Sequence, residues 1–295
     1  MKKYFLPVLL PAISLFFCST LIAQDKDDNE SSSDKSHFKF GLNYTSDNVY
    51  LGRKDSVKVP YLTPSFGYYN KSGFYISGSL SYLPTSGESR IDLFSVEAGY
   101  TFSKKKLEGE FAISKDFFSG NSFNVKSEVT GSTTGTLSYN LGFIKPSLGY
   151  GISFSNNTDY SLTGGIEHDF SFADDKFTIS PAIIFNGSTQ NYYSSYYSKR
   201  KYAKTRKGKV AAYNITANVF GVDNFKIMDY EFSVPFEYTA NKITFNFTPT
   251  LAMPVNPNQV DLTISPSGGG SSYSKIITEK LNQFVFWSFE INYKF

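Results

Sequence analysis

Few residues here could do covalent chemistry. His37 and His168 are the only histidines and Cys18 is the only cysteine. A nucleophilic hydrolase needs a histidine hydrogen-bonded to its serine and steered by a carboxylate. The string Glu167-His168-Asp169-Phe170-Ser171 holds all three types. On an extended strand, however, side chains alternate between faces, so Ser171, three residues from His168, points away from it. Two histidines at unrelated positions also make a poor metal-ligand set. No glycine-rich phosphate loop runs from a strand into a helix. The sequence therefore predicts a protein that is not an enzyme, with no catalytic residue, no metal and no cofactor.

A second set of ionisable groups does have a pattern. Glu97, Glu110, Glu167, Glu231 and Glu290 fall on the polar face of alternating segments at middle depth, whereas Lys39, Lys126, Lys145 and Lys294 share that face nearer the segment ends. Carboxylates inside a membrane protein are costly unless hydrated or paired. Hydrated, they would line an acidic lumen that favours cations. Paired with Lys and Arg from neighbouring strands or an infolded loop, they would form a structural network. Both readings are open at this level.

Alternation is what must position them. From Val285 to Phe295 one face is Val285, Trp287, Phe289, Ile291, Tyr293 and Phe295, while the other is Phe286, Ser288, Glu290, Asn292 and Lys294. A period of two over that length predicts a strand between two different solvents. Segments of the same kind begin at Phe38, Leu62, Phe74, Phe94, Leu107, Val125, Ile144, Tyr160, Phe177, Met228 and Ile243, which makes about 12 in all. The sixth is expected to run from Val125 to Tyr139. Tight turns at Asn70, Ser103, Asn140, Ala173 and Thr239 fall on one side, with the longest loops opposite. The stretch Ala211 to Val219 could add a thirteenth strand, but leaving it in an outer loop keeps the count even and the turns together. Pro60, Pro64, Pro146, Pro181, Pro235 and Pro249 sit inside proposed strands, and some must lie at rims or bulges because each lacks an N–H.

An amphipathic closing strand that ends on Phe295 resembles those of Gram-negative outer-membrane β-barrels, in which the terminal aromatic belongs to the signal read by the barrel-assembly machinery. The resemblance is to a porin-like member of that class. It implies an all-β, transmembrane antiparallel up-and-down barrel with short periplasmic turns, long outer loops and both termini periplasmic. Composition agrees: aromatics make up 18% of the chain, as girdles at two membrane interfaces require. Lys2, Lys3, the apolar run Tyr4 to Phe17 and the small-residue exit near Ala23 read as a signal peptide over residues 1–23. Cys18 follows Phe16 and Phe17 where lipid attachment needs small residues, so it leaves with the signal. Residues 24–36 (QDKDDNESSSDKS) contain nothing apolar and are expected to be a disordered acidic linker, with the barrel over 37–295. The expected surroundings are outer-membrane lipid and lipopolysaccharide. A net charge of +3 gives no reason to expect nucleic acid.

Residues 187–224 and 254–283 are the two longest loops. The first carries Tyr192, Tyr193, Tyr196 and Tyr197, then a basic run that includes Lys199, Arg200 and Lys201 and extends to Lys209. Tyrosine gives contact area at low entropic cost, so this stretch suits recognition of a partner protein or an acidic polymer. The bases could equally be a solvated loop or a plug for the lumen. The expected function is a small passive channel; the alternative is a non-transporting accessory subunit or adhesin that acts through these loops.

Overall fold

The computed structural model describes residues 35–197, 213–266 and 269–295. The expected signal peptide, nearly all of the acidic linker and the bases Lys199, Arg200 and Lys201 lie outside them.

Antiparallel strands follow one another around a ring: β1 (His37–Thr45), β2 (Tyr61–Tyr69), β3 (Phe74–Leu83), β4 (Arg90–Lys104), β5 (Leu107–Phe118), β6 (Gly131–Tyr139) and β7 (Lys145–Phe154). The eighth is β8 (Thr158–Glu167) continued by β9 (Phe170–Phe172), and the ninth is β10 (Phe177–Ile179) continued by β11 (Ala182–Ser188). A short helix, α1 (Asn191–Tyr196), and β12 (Tyr213–Val219) lie off the ring. The tenth is β13 (Lys226–Ser233) with β14 (Phe236–Ala240), followed by β15 (Ile243–Pro254). The chain then leaves for the hairpin β16 (Gln259–Pro266) and β17 (Tyr273–Thr278) before returning as β18 (Phe284–Lys294). β18 pairs with β15 on one side and β1 on the other, from Lys39↔Lys294 to Thr45↔Ser288. Among the described residues this closes a barrel of 12 strands.

The barrel is inverted relative to a soluble core. Ile113, Leu148 and Ile183 point outward and are 53%, 54% and 62% exposed, while the neighbours of the first two, Ala112, Ser114, Ser147 and Gly149, are polar or small. Aromatic pairs line the same outer surface, with Tyr44 and Phe247 each against Trp287 at 5.4 and 5.9 Å. An apolar exterior around a polar interior, with no free strand edge in the ring, is what a lipid bilayer demands of a β protein. The five tight turns and both ends of the ring share one rim; the longer connections share the other.

Two local expectations need correcting, and the prolines fall as expected. The sixth strand starts at Gly131, not Val125. Ser122 Oγ accepts from Asn124 N at 3.1 Å and Asn124 Oδ1 accepts from Lys126 N at 2.8 Å. These side-chain turns compete with the ladder and fold Val125 and Val129 into the barrel mouth. The loop expected over 254–283 contains a hairpin, whose β16 pairs with β12 from Tyr213↔Pro266 to Val219↔Val260. The two long loops therefore build one three-stranded sheet, β12-β16-β17, apart from the ring. The prolines divide into three kinds, of which the first is Pro60, outside the ladder just before β2. Pro181 and Pro235 sit where β10/β11 and β13/β14 break, level with the break at His168 and Asp169. Single bonds cross that line: His168 N to Pro181 O (3.2 Å), Ser180 N to Pro235 O (3.0 Å) and Val234 N to Pro249 O (3.1 Å). Pro64, Pro146 and Pro249 instead keep register inside their strands, opposite Leu42, Ile166 and Trp287.

Ile113 lies at the centre of β5 on the lipid face. Replacing it with Arg is expected to cost about 2–4 kcal/mol, read as a lowered urea midpoint for the barrel in lipid vesicles. An Ile113→Leu control should leave the midpoint unchanged.

Candidate functional site

The interior has two parts, a polar wall and a packed outer mouth. All five predicted glutamates face inward. Glu97 Oε1 and Glu110 Oε1 each approach the hydroxyl of Tyr75, at 2.9 and 2.6 Å. Glu167 belongs to an ion-paired group: Lys145 Nζ lies 3.3 Å from Glu167 Oε1 and 2.9 Å from Glu108 Oε2. Glu231 stands two residues from Asp229 on the same face of β13, and Asp229 Oδ1 accepts from Asn186 Nδ2 at 2.9 Å. Glu290 is in register between Asn43 of β1 and Asn246 of β15. The paired reading is seen at one of the five. Glu167 is paired structurally, while Glu97, Glu110, Glu231 and Glu290 sit half-buried on the inner wall.

Other inward carboxylates were not singled out in the sequence. Asp116 accepts from Ser95 Oγ at 2.5 Å, and Asp169 accepts from Ser180 Oγ at 2.6 Å. Glu237 of β14 is buried on the same side. Alternation carried far enough finds them, since Asp116 follows Glu110 by six residues on β5 and Glu237 follows Glu231 by six along the tenth strand. His168 takes the outward face with Ile166 and Phe170, its ring 4.3 Å from Phe170. Ser171 takes the inward face, so the string that resembles a hydrolase site is split by the pleat.

At the outer mouth the four tyrosines expected on a recognition surface are buried instead. Tyr192, Tyr193, Tyr196 and Tyr197 join Tyr50, Val125, Val129, Met228 and Val260 in one apolar cluster. The cause is local. Asp159, at the outer end of β8, accepts from Thr189 Oγ1 (2.7 Å), Asn191 N (2.6 Å) and Tyr192 N (2.7 Å). That carboxylate satisfies the free N–H groups at the start of α1 and turns its aromatic side inward. Tyr196 then bonds Asp55, and Tyr193 bonds Glu279 Oε1 at 2.6 Å.

Arg53 joins the loops that meet there. Tyr50 and Arg53 exchange both backbone hydrogen bonds at 2.9 Å around Leu51 and Gly52, both at positive φ. This tight turn favours glycine, and a Cβ on Gly52 would lie 2.6 Å from that of Asp229. The turn aims Arg53, 1% exposed, at the carbonyls of Met228 (3.2 Å), Val255 (2.9 Å) and Asn256 (3.2 Å). Its Nε lies 3.4 Å from Glu279 Oε2. A buried pair of this kind is costly to break, because the surviving partner is left charged and unpaired.

Burial sets the ionisation of this mouth. It holds the phenols of Tyr50, Tyr192, Tyr193 and Tyr196 above the ordinary tyrosine value. It holds the Lys126 ammonium, 4.8 Å over the Tyr50 ring, below the ordinary lysine value, against the opposing pull of Asp116 and Glu97.

Two outcomes follow. The folded phenols keep protons that an unfolded chain gives up near pH 10, so their contribution is complete below that pH and is lost as pH rises through their folded values. Lys126 works in the opposite sense, since its charged form is the one burial disfavours. Phenolate absorbance should therefore show a protected group of tyrosines that ionise only when the mouth opens; a single step for every tyrosine near the ordinary value would contradict the packing. Asp159→Ala strands the Asn191 and Tyr192 N–H groups at a cost of about 1–3 kcal/mol, so limited proteolysis should cut near α1 in the variant only. Tyr192→Phe removes a buried hydroxyl with no hydrogen-bond partner among the described residues and should leave this resistance intact.

No family model matches the sequence, and no curated protein matches it. Among solved structures, the chain is similar to the KdgM porin, with 11% identity, coverage of 88% of this chain and 99% of that one, and a TM-score of 0.43. It is similar to the NanC porin at 10% identity, 88% and 100% coverage and a TM-score of 0.45. It is also similar to LpxR from Salmonella typhimurium at 9% identity, 87% and 100% coverage and a TM-score of 0.39. At these identities the likeness concerns the barrel fold and nothing finer.

Proposed function

We propose that this barrel is a small passive channel of the outer membrane, delivered there by a cleaved signal peptide, with an acidic lumen that favours cations. The observation that carries the reading is the inner wall. Glu97, Glu110, Glu231 and Glu290 retain partial solvent access inside a closed ring, beside similarly placed Thr136, Thr244, Asn246 and Ser288. Of the inward bases, Lys145 is already engaged by two carboxylates and Lys126 is buried in the mouth. A unit charge 4 Å from a carboxylate gains about 1 kcal/mol in bulk water and about 4 at an effective dielectric of 20. Even the smaller figure raises local cation occupancy about fivefold. The packed mouth keeps the passage narrow.

Planar-bilayer recording under a KCl gradient tests this directly. The reversal potential should lie toward that of K⁺, and Glu290→Gln together with Glu231→Gln should move it toward zero. Anion selectivity in the unmodified protein would reject the acidic-lumen reading. Arg53→Ala loosens the mouth at a cost of about 3–5 kcal/mol and should raise conductance severalfold. Silence in both the unmodified protein and Arg53→Ala would leave a barrel that does not conduct.

A specific observation also favours the second reading, a barrel that acts through its outer loops. β17 is an edge strand of the outer sheet, and its Tyr273 and Ile276 are 62% and 60% exposed. An open edge of this kind accepts an added strand. Co-purification from mild detergent of a partner that is lost on Ile276→Lys would support that reading over the channel.

A further inference from the structure

Tyr75 reaches its two glutamates by lying across a strand. It stands in register opposite Gly99 of β4, and Gly99 stands opposite Ala112 of β5. A Cβ on Gly99 would sit 2.6 Å from the Tyr75 Cε1 and Cζ atoms, so the missing side chain is what admits the ring. The small Ala112 continues the same clearance. The ring is also held from behind: Tyr75 stacks on Tyr69 at 5.3 Å and 18°, and Tyr69 stacks on His37 at 5.4 Å and 11°. The phenol oxygen is thereby fixed between Glu97 of β4 and Glu110 of β5.

Donor arithmetic then constrains the group. A phenol has one proton to donate, and an ionised carboxylate can only accept. Two carboxylate oxygens at 2.9 and 2.6 Å from one phenol oxygen cannot both be bonded by that single proton. If one carboxyl carries a proton, it donates to the Tyr75 oxygen while Tyr75 donates to the other carboxylate, and both contacts become hydrogen bonds.

We propose that Tyr75 makes Glu97 and Glu110 one titrating unit that takes a single shared proton from lumen water, and that this unit sets the pH at which cation selectivity weakens. The inference rests on the channel reading. Without that proton the unit carries two negative charges, and with it one, so selectivity falls as pH falls. Glu97 is faced by Tyr75 from β3, by Glu110 and Asp116 from β5, and by Lys126 from the loop that follows β5. Behind Tyr75 lie Tyr69 and His37, with Lys39 Nζ 6.0 Å from the Tyr69 ring. Tyr75 is a positioning residue, and the two carboxylates bear the charge.

The test is reversal potential against pH for the unmodified protein and for Glu97→Gln, Glu110→Gln, Glu290→Gln and Tyr75→Phe. Glutamine at position 97 or 110 donates an N–H to the Tyr75 oxygen at every pH, as the protonated carboxyl does. Each of those two variants should show at neutral pH the reduced selectivity that the unmodified protein reaches only in acid, and neither should show a step at the unmodified protein's pH. Glu290→Gln should keep that step. Tyr75→Phe preserves the stack and loses only the hydroxyl, so it should displace the step. A step retained at its original pH in Glu97→Gln, Glu110→Gln or Tyr75→Phe would mean carboxylates that titrate alone, and would overturn the proposal. Infrared spectroscopy of the refolded barrel needs no current. A protonated-carboxyl band that grows in on acidification and is missing from both glutamine variants supports the shared proton even if the barrel never conducts; its loss from only one of them refutes it. Silent bilayers would count against the channel alone.

Discussion

A strand surrounded by lipid has no water to satisfy its N–H and C=O groups, so each must find a neighbouring strand. Everything else in this protein depends on that constraint, and it is met only when β18 docks against β1. The seam links residues near the two ends of the ring and fixes the register of the ladder between. Register in turn fixes faces, because a slip of one residue would exchange the lipid and lumen surfaces of a whole strand. The inward position of Glu97, Glu110, Glu231 and Glu290 is therefore a consequence of closure as much as of their own chemistry.

Closure leaves an interior to be lined, and this barrel lines it differently at different depths. Toward the outer rim, loops return to the axis and pack tyrosines and valines, with Asp159 and Arg53 satisfying the backbone groups that this burial exposes. Nearer the middle, serine, threonine and glutamate side chains line the inner wall. The result is an apolar mouth above a polar wall. Charge follows the same division. The buried guanidinium of Arg53 is matched by Glu279 and by carbonyls, whereas Glu97 and Glu110 of the wall meet the hydroxyl of Tyr75.

The ring was legible in the sequence because alternation records the surface on which each residue lies. The twelve strands, the common rim of the tight turns and the inward placement of the five glutamates all follow from a period of two. Alternation cannot say what lies across the lumen, and the remaining errors share that origin. Val125 and Val129 looked like strand residues because they fit the period, yet Ser122 and Asn124 turn that segment inward. The tyrosines of α1 looked like a display surface because no linear signal links them to Asp159. Tyr75 had the parity of a lumen residue, but its reach to Glu110 depends on the missing side chain of Gly99, one strand away.

The partners of Arg53 lie 175, 202 and 203 residues further along the chain. Contacts of such sequence separation cannot begin to form until the intervening strands have been brought together, because loop closure must precede the reward. The mouth must therefore pack late. The narrow end of the passage takes its shape only once β13 and β15 are in place to offer Arg53 its carbonyls, so one step in the order of folding is written into the position of one arginine.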